Sequence, residues 1–455
     1  MQTSTIKFSQ IEDRIDAKYY KPEYLELEKI LSRGPKTKTL REISTKIVDG
    51  PFGSDLLKSE YTEEGVPLLR VQNVSGEGID VNNFVFITKE KQKELKRSKV
   101  LAGDLVITKA GRVGTVDIVP SSISEANITS HLAKISLKKE YNPYFVYVYL
   151  NSRLGLLQIE RQGIKSTKPE LNIDEVAITK LIIPSQSFQQ KIENMVKEAQ
   201  EKRRFADGKY KDAKEILNKE LGLKDLDLST QKTFEAKFSE TTERIDPEYY
   251  QPKYYKFWKI VKKRVDLKRL QDIITKIDYG TVPTSPYVLK EQGIPYIKGK
   301  DVKPNHMALD DLDYLHKGTE HLIGNKIVKE NDILITQMGT VGDAAVIPKK
   351  AKDFAFGSFI LRIRLKDFSK TDPYYIATII NSLIGKLQIF REMRIATVRA
   401  NTDIPTIKNL KIPILSKSLQ QKISSLIQES FKLRQEAKEL IERAKKAVEE
   451  IVEGN

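Results

Sequence analysis

The stretch SFQQKIENMVKEAQEKRRFADGKYKDAKEILNKE, from Ser187 to Glu220, is repeated from Ser418 as SLQQKISSLIQESFKLRQEAKELIERAKKAVEEIVE. With the copies aligned at an offset of 231, apolar residues recur at spacings of four and three, which is the heptad seam of a coiled-coil helix. We predict two helices, each about 50 Å long, that pack on each other; the alternative is two surface helices on separate cores. The seam comprises Ile192, Val196, Ala199, Ala206, Tyr210, Ala213 and Leu217 in the first copy and Ile423, Ile427, Ala437, Ile441, Ala444 and Val448 in the second.

The rest of the chain is duplicated as well, at offsets of 228 to 231 residues. KFSQIEDRIDAKYYKPEY (7–24) returns as KFSETTERIDPEYYQPKY (237–254), and GDLVITKAGRVG (103–114) returns as NDILITQMGTVG (331–342). Such self-similarity indicates one structural plan used twice. We therefore divide the chain into a first domain (1–184), a helical region and hinge (185–230), a second domain (231–413) and a C-terminal helical region (414–455).

Within each copy the pattern predicts a mixed α/β domain. Residues 66–74, 104–108 and 178–184 are typical of strands, whereas 22–31 and 144–158 are typical of helices. The predicted fold class is α+β, with two homologous domains separated by a pair of long antiparallel coiled-coil helices. Such a chain would be pseudo-two-fold symmetric.

Composition limits the possible functions. The 455 residues are enough for two or three domains, and the lack of cysteine excludes disulfides and thiolate metal sites. There is no leader-like apolar segment and no run of 18 apolar residues, so we expect a soluble, cytoplasmic protein. The net charge is +16, and little of it lies on the nearly neutral helices. Basic domains favour a polyanionic partner, most often nucleic acid; the alternative is a chain that is simply lysine-rich.

Motifs for catalysis are weak. Asn142-Pro143-Tyr144 and Asp372-Pro373-Tyr374 partly match the box of amino methyltransferases, but they fit helix N-caps followed by proline better. The four histidines show no metal-binding spacing. We predict neither catalytic residues nor a metal site.

Three doubled motifs together carry a family resemblance: RIDxxYYxP at 14–22 and 244–252, the segment GDLVITKAGRVG with its copy, and the QQKI helix start. The set resembles the specificity subunit of type I restriction–modification systems. The resemblance implies two target-recognition domains that read the halves of a split DNA site, and helices that space them and bind two methyltransferase subunits. It also implies restriction and motor subunits, with S-adenosylmethionine and ATP bound by the partners and no cofactor here. Gln189 and Gln420 depart from the family, where glutamate is usual.

Comparison of the copies suggests which residues contact DNA. One scaffold that reads two half-sites should keep its frame and vary the residues that touch base edges. In the doubled GDLVITKAGRVG segment the glycines are shared, whereas Lys109 and Arg112 become Gln337 and Thr340, side chains suited to base contacts. A hairpin remote from DNA is the alternative.

The second candidate segment precedes the last strand, where GIKSTKPELN (163–172) corresponds to MRIATVRANT (393–402). Both versions are basic and rich in polar residues, so we expect them at the DNA; a solvated basic loop is the alternative. The predicted residues are Arg161, Lys165, Ser166, Thr167 and Lys168 in the first copy and Arg391, Arg394, Thr397, Arg399 and Asn401 in the second. The shared Tyr19, Tyr20, Tyr249 and Tyr250 are expected in the core.

The sequence thus favours a DNA-recognition protein without catalysis of its own. The alternatives are a self-contained DNA-modifying enzyme, which would itself bind S-adenosylmethionine, and a generic basic scaffold, which would show no preferred DNA sequence.

Overall fold

The structure is a computed structural model that describes residues 5, 6, 11, 14–33, 37–81, 83–163, 170–224, 226, 228–237, 239, 241, 244, 246–282, 286–393 and 401–453. It divides into two compact units. Unit 1 comprises residues 1–204 and 434–455, and unit 2 comprises residues 205–433. Each unit is described by itself.

Unit 1 is a mixed α/β domain. Its shorter helices are α1 (Pro22–Arg33), α2 (Leu40–Ile43), α3 (Lys89–Glu94), α4 (Pro143–Asn151), α5 (Arg153–Gly163) and α6 (Ile173–Ala177). Its strands are β1 (Thr37–Thr39), β2 (Ser44–Asp49), β3 (Val66–Leu69), β4 (Val85–Ile87), β5 (Val100–Leu101), β6 (Leu105–Thr108), β7 (Val116–Ile118), β8 (Glu125–Ile128), β9 (Leu132–Leu137) and β10 (Lys180–Ile182). They form an antiparallel sheet in the order β2-β9-β6-β7, a second sheet β4-β3-β8-β5, and the pair β1-β10.

Unit 2 repeats this plan. Its shorter helices are α8 (Pro252–Val261), α9 (Leu270–Ile273), α10 (Glu320–Ile323), α11 (Pro373–Asn381), α12 (Leu383–Glu392) and α13 (Ile404–Lys408). Its strands are β11 (Leu267–Arg269), β12 (Ile274–Tyr279), β13 (Gly293–Ile297), β14 (Val302–Lys303), β15 (His306–Met307), β16 (Asp313–His316), β17 (Ile333–Thr336), β18 (Ala344–Val346), β19 (Ala355–Phe356), β20 (Ile360–Leu365) and β21 (Lys411–Pro413). The sheet β12-β20-β17-β18 matches the sheet β2-β9-β6-β7 of unit 1 strand for strand.

Both of these sheets are buried on two faces. Leu105 and Ile107 of β6 belong to the core that includes α4, whereas Val106 belongs to the core beneath β3 and β8. Alternating side chains point to opposite faces of a strand. A strand that is covered on both sides is therefore apolar at successive positions, as β6 and β17 are up to their final threonines. This burial holds the ends of the two central strands, and the loops that leave them, in a fixed place.

Two long helices, α7 (Gln186–Leu221) and α14 (Lys417–Glu453), each contribute to both units. In unit 1 the beginning of α7, with Ile192, Val196 and Ala199, shares a core with Ala437, Ile441, Ala444 and Val448. In unit 2 the end of α7, with Ala213 and Leu217, shares a core with Ile423 and Ile427. Ala206 is also buried, and Tyr210 is half-buried beside Phe431. The beginning of each helix meets the end of the other, which is the antiparallel order. The predicted combination of two mixed domains with two long packed helices is confirmed.

The predicted helix over residues 144–158 is wrong in one respect, because it is interrupted. Ser152 has an extended backbone with ψ of 168° and separates α4 from α5. The side-chain amide of the preceding Asn151 forms the two hydrogen bonds that a neighbouring strand would form with Val116. It accepts from Val116 N at 3.2 Å and donates to Val116 O at 2.8 Å. Asn381 does the same with Ala344 in unit 2. The sequence pattern could not show that this asparagine pairs with a strand edge.

The predicted strands exist but are shorter than expected. The segment 66–74 is a strand only to Leu69 and then turns through a short 3₁₀ helix, and the segment 178–184 is a strand from Lys180 to Ile182. Within the described part of the chain, no helix is both long and apolar enough to cross a membrane.

Candidate nucleic-acid interface

The turn between β6 and β7 presents Arg112 to solvent. The Thr108 hydroxyl donates to the Arg112 carbonyl and accepts from Thr115 N at 3.0 Å, which holds the turn from inside. Gly111 and Gly114 have φ of +77° and +86°, a region that glycine adopts without a steric penalty. The turn is therefore rigidly closed, with Arg112 exposed at its tip.

The same turn in unit 2 presents a different side chain. Thr336 holds the turn in the same way, and Gly339 and Gly342 have φ of +80° and +77°. Thr340 is exposed at the tip and Gln337 is half-buried at the base. The shared glycines thus have a positive φ in both units, and one backbone frame carries two different sets of side chains.

Each turn is bonded to the end of the second candidate segment. In unit 1 Leu171 N donates to Lys109 O at 2.9 Å, and Ala110 pairs with Glu170 as an isolated antiparallel bridge. In unit 2 Thr402 N donates to Gln337 O at 3.1 Å, and Met338 pairs with Asn401, which is exposed. The structure thus brings together two segments that are about 60 residues apart. Sequence analysis had predicted each of them separately as a candidate DNA contact.

A third segment, which sequence reasoning missed, joins them. Lys109 N donates to the His131 carbonyl at 2.8 Å, and Gln337 N donates to the Phe359 carbonyl at 2.9 Å. Both His131 and Phe359 are exposed. They occupy the same place in the two copies and differ in chemistry, so comparison of the copies could have found them. We call this set the loop edge: residues 109–114, 129–131 and 170–171 in unit 1, and residues 337–342, 357–359 and 401–402 in unit 2.

Lys109 is placed differently from Arg112. Its side chain is 8% exposed, and its ammonium group forms an ion pair with Asp49 at the end of β2. In the second copy both partners change together, to Gln337 and Tyr279. The Lys109 charge is therefore already balanced within the protein, whereas Arg112 has its side chain in solvent.

Arg161 is also engaged inside the domain. It is 6% exposed, its guanidinium lies 3.9 Å from the centre of the Tyr19 ring, and its Nε donates to Tyr19 O at 2.9 Å. Its Nη1 donates to Glu28 at 2.6 Å. A contact between Arg161 and DNA would have to replace these interactions.

Its counterpart in unit 2 is held in the same way. Arg391 lies 4.2 Å from the ring centre of Tyr249 and donates to Tyr249 O at 3.1 Å. Tyr19, Tyr20 and Tyr250 are buried, as predicted, and Tyr249 is half-buried. The shared arginines and tyrosines thus form one structural cluster in each unit.

The RIDxxYYxP motif completes this cluster. Arg14 forms an ion pair with Asp16 at 2.8 Å, and the Tyr20 hydroxyl donates to Arg14 O at 2.6 Å. In unit 2 Arg244 donates to the carbonyl oxygens of Arg391 and Glu392, at 3.3 and 3.1 Å. These carbonyls belong to the last turn of α12, where they lack helical partners. The motif therefore fixes the helix end that precedes the divergent segment. The remaining predicted residues, Lys165, Ser166, Thr167, Lys168, Arg394, Thr397 and Arg399, lie outside the described residues.

The Asn-Pro and Asp-Pro pairs at 142 and 372 are helix N-caps, as predicted. Asn142 Oδ1 accepts from Tyr144 N and Phe145 N at 2.9 and 3.2 Å, and Asp372 makes the equivalent bonds at 2.9 and 3.1 Å. Both side chains thus satisfy the free N–H groups of a helix start. Among the described residues, no group of three or more histidine, aspartate or glutamate side chains is arranged to hold a metal ion.

A buried carboxylate ties a domain loop to the long helix in unit 1. Asp117 accepts from the N–H groups of Ser75, Gly76 and Gly78 at 2.7, 3.1 and 2.8 Å. Burial raises the pKa of the Asp117 carboxyl to about 6, against the opposing effect of these hydrogen bonds. Glu77 of this loop pairs with Arg203 of α7 at 2.9 Å.

Unit 2 makes the equivalent attachment through aromatic and amide side chains. The ring of His306 stacks on Phe431 of α14, with the ring centres 5.0 Å apart. Asn305 donates to the Tyr210 hydroxyl of α7 at 3.4 Å. The two domains therefore meet the long helices through different side chains at equivalent loops.

The chain is similar to known proteins both in sequence and in structure. A model of the family described as type I restriction modification DNA specificity domain matches residues 262–443. The type I restriction enzyme EcoBI specificity subunit of Escherichia coli is 28% identical over 139 residues, which is 30% of this chain and 29% of the relative's length. The chain thus matches less than a third of that relative.

Solved structures of similar extent are more distant in sequence. The S subunit of the type I restriction–modification system from M. genitalium is 13% identical, with a TM-score of 0.45 over 91% of this chain and 94% of its own. The HsdS subunit from Thermoanaerobacter tengcongensis is 14% identical, with a TM-score of 0.31 over 92% and 96%. Residues 262–443 thus match the type I restriction modification DNA specificity domain, and the chain is similar to specificity subunits of type I restriction enzymes.

Proposed function

We propose that this chain is the DNA sequence-recognition subunit of a type I restriction–modification complex, and that it has no catalytic activity of its own. Each unit reads one half of a bipartite site through its loop edge. One observation carries the proposal: the same backbone frame is built twice, and it differs at its exposed tips, Arg112 against Thr340 and His131 against Phe359. Two half-sites of different sequence require such an arrangement.

The chemistry of the loop edge suits base contacts. Arginine forms paired hydrogen bonds to guanine, and glutamine and asparagine form them to adenine, all in the major groove. Arg112 is exposed in unit 1, whereas Gln337 and Asn401 lie at the loop edge of unit 2. The buried Arg161 and the half-buried Arg391 then hold the frame, while the net charge of +16 supplies attraction to phosphates.

The long helices are the proposed docking surface for partners. The partners are two methyltransferase subunits, with restriction and motor subunits added for cleavage. S-adenosylmethionine would be bound by the methyltransferase and ATP by the motor. The helices support this role because their exposed faces carry charges of both signs, while residues on their buried faces, such as Ile192 and Ile423, belong to the cores of the two units.

A reciprocal exchange tests the proposal. The chain is produced with its partner methyltransferase, and methylated adenines are mapped for the wild type, Arg112→Thr and Thr340→Arg. Arg112→Thr should relax the preference at one position of one half-site, a loss of about 1–3 kcal/mol in discrimination. Thr340→Arg should alter only the other half. The two-reader proposal would be contradicted if the complex methylated adenines with no sequence preference. It would also be contradicted if either variant changed the base preference in both halves of the site.

A further inference from the structure

Unit 2 exposes three large apolar side chains, one of which, Phe359, lies in the segment that is bonded to the turn between β17 and β18. Val282, Leu322 and Phe359 are 67%, 42% and 58% exposed. Backbone bonds connect their segments, since Thr281 N donates to Phe356 O at 2.9 Å and the Thr281 hydroxyl donates to Leu322 O at 3.3 Å. An exposed apolar patch on a soluble protein often marks a contact site.

Phe359 is the member of this patch that is fixed to the loop edge. Its carbonyl accepts from Gln337 N at 2.9 Å, so its position is set by the same backbone that places Gln337. Thr340, with its methyl group, is exposed at the tip of the adjoining turn. In unit 1 the equivalent place is held by the polar, exposed His131. The difference lies in the side chain and not in the frame.

We propose that Phe359 reads the C5-methyl group of a thymine in the half-site that unit 2 recognises; this inference rests on the proposed function. In the major groove, thymine is the base that presents a methyl group, and apolar side chains including phenylalanine and the threonine methyl contact it. Gln337 beside Phe359 suits adenine in the same groove. Unit 1 makes no such contact, because His131 offers nitrogen atoms at that place.

The test removes the methyl group from the DNA and the ring from the protein. The complex with its methyltransferase is measured on duplexes that carry its mapped methylation site, with each thymine of the unit 2 half-site replaced in turn by deoxyuridine. The wild type should bind one of these duplexes about fourfold more weakly, the factor that corresponds to about 0.8 kcal/mol for one buried methyl group. Phe359→Ala and Phe359→His should bind the thymine and deoxyuridine duplexes equally.

Matched variants keep the result interpretable. Leu322→Ala and His131→Ala should retain the wild-type discrimination at that thymine, and thermal unfolding checks that every variant is folded. If no deoxyuridine weakens binding by the wild type, or if Phe359→Ala keeps the discrimination, thymine reading by Phe359 is wrong. If Phe359→Ala weakens binding to the thymine and deoxyuridine duplexes by the same factor, so that the wild-type ratio of the two affinities is kept, the ring contributes only non-selective contact, such as a wedge between bases, and the inference is also overturned. A wild-type complex with no sequence preference would overturn the proposed function itself.

Discussion

Arg112 and Arg161 show how the surroundings of a residue decide its role. Arg161 has a ring against its guanidinium, a carbonyl on its Nε and a carboxylate on its Nη1. Arg112 lies at a turn tip, and only its backbone carbonyl is used to close the turn. An arginine that is buried against a ring and bonded to neighbouring groups stabilises a fold, whereas one in solvent is free to meet a ligand.

We expect Arg161→Ala to destabilise unit 1 while Arg112→Ala does not. Truncation of Arg161 leaves the buried Tyr19 carbonyl without its donor and removes the stacking contact, a cost of about 1–3 kcal/mol. Because Arg112 is exposed, Arg112→Ala should change the free energy of unfolding by less than about 0.5 kcal/mol. Denaturant midpoints of the two variants measure the difference. If Arg161→Ala keeps the wild-type midpoint but loses one half-site, then Arg161 contacts DNA, as the sequence predicts.

At the scale of the element, the starts of the two long helices differ although their sequences match. Gln420 Nε2 donates to Leu415 O and Lys370 O at 2.9 and 3.2 Å, and its Oε1 accepts from Asp372 N at 3.0 Å. Gln189 Nε2 donates to Pro184 O at 3.0 Å. Both side chains are buried. The amide is needed at these positions because it donates to carbonyl groups, which a carboxylate cannot do.

Gln420→Glu should therefore destabilise unit 2 more than Gln189→Glu destabilises unit 1. The new carboxylate of Gln420→Glu would face two carbonyl oxygens, and an unsatisfied buried charge costs about 1–3 kcal/mol or more. Because burial and these carbonyls disfavour the ionised form, the folded-state pKa of the new carboxyl should be raised above its unfolded value. The destabilisation should then be present at pH 7 and fade as the pH falls through that folded pKa. Denaturant melts at several pH values measure it; equal costs in both variants would mean that the extra bonds of Gln420 contribute nothing.

Sequence patterns predicted some elements better than others. The seam of α7 and α14 was visible because apolar residues recur over many turns of a helix. The break at Ser152 was not, because Asn151 bonds there to Val116 of β7, a strand that is distant in sequence, while the Ser152 hydroxyl donates locally to Tyr149 O. Periodicity reports which face of an element is buried, and it carries no information on which polar group pairs across the fold.

The candidate site was also predicted only in part. Comparison of the copies singled out Arg112 and Thr340 as candidate DNA contacts, because both lie in a recognisable shared turn. It predicted Arg161 and Arg391 at the DNA because they are basic and near a divergent segment, while their contacts with the rings of Tyr19 and Tyr249 depend on tertiary packing. His131 and Phe359 escaped notice because the segment that carries them meets the turn through backbone hydrogen bonds, which the side-chain pattern does not reveal.

At the scale of the whole molecule, the duplication predicts that the two readers work independently. Each unit has its own core, and the cores of unit 1 and unit 2 contain separate sets of residues. A change confined to one core and its loop edge should leave the other frame intact, because distant sites without shared partners behave additively.

Domain exchange tests this independence. Residues 1–184 or 231–413 are replaced by the equivalent part of a related specificity subunit whose site is known, and methylated adenines are mapped with the partner methyltransferase present. The first hybrid should methylate a site with one donor half and one original half, and the second should give the complementary combination. A chain with both replacements should read both donor halves, which provides the internal control for folding and docking. If a single, well-folded replacement changes both halves of the site, the halves are read jointly and independent readers are excluded.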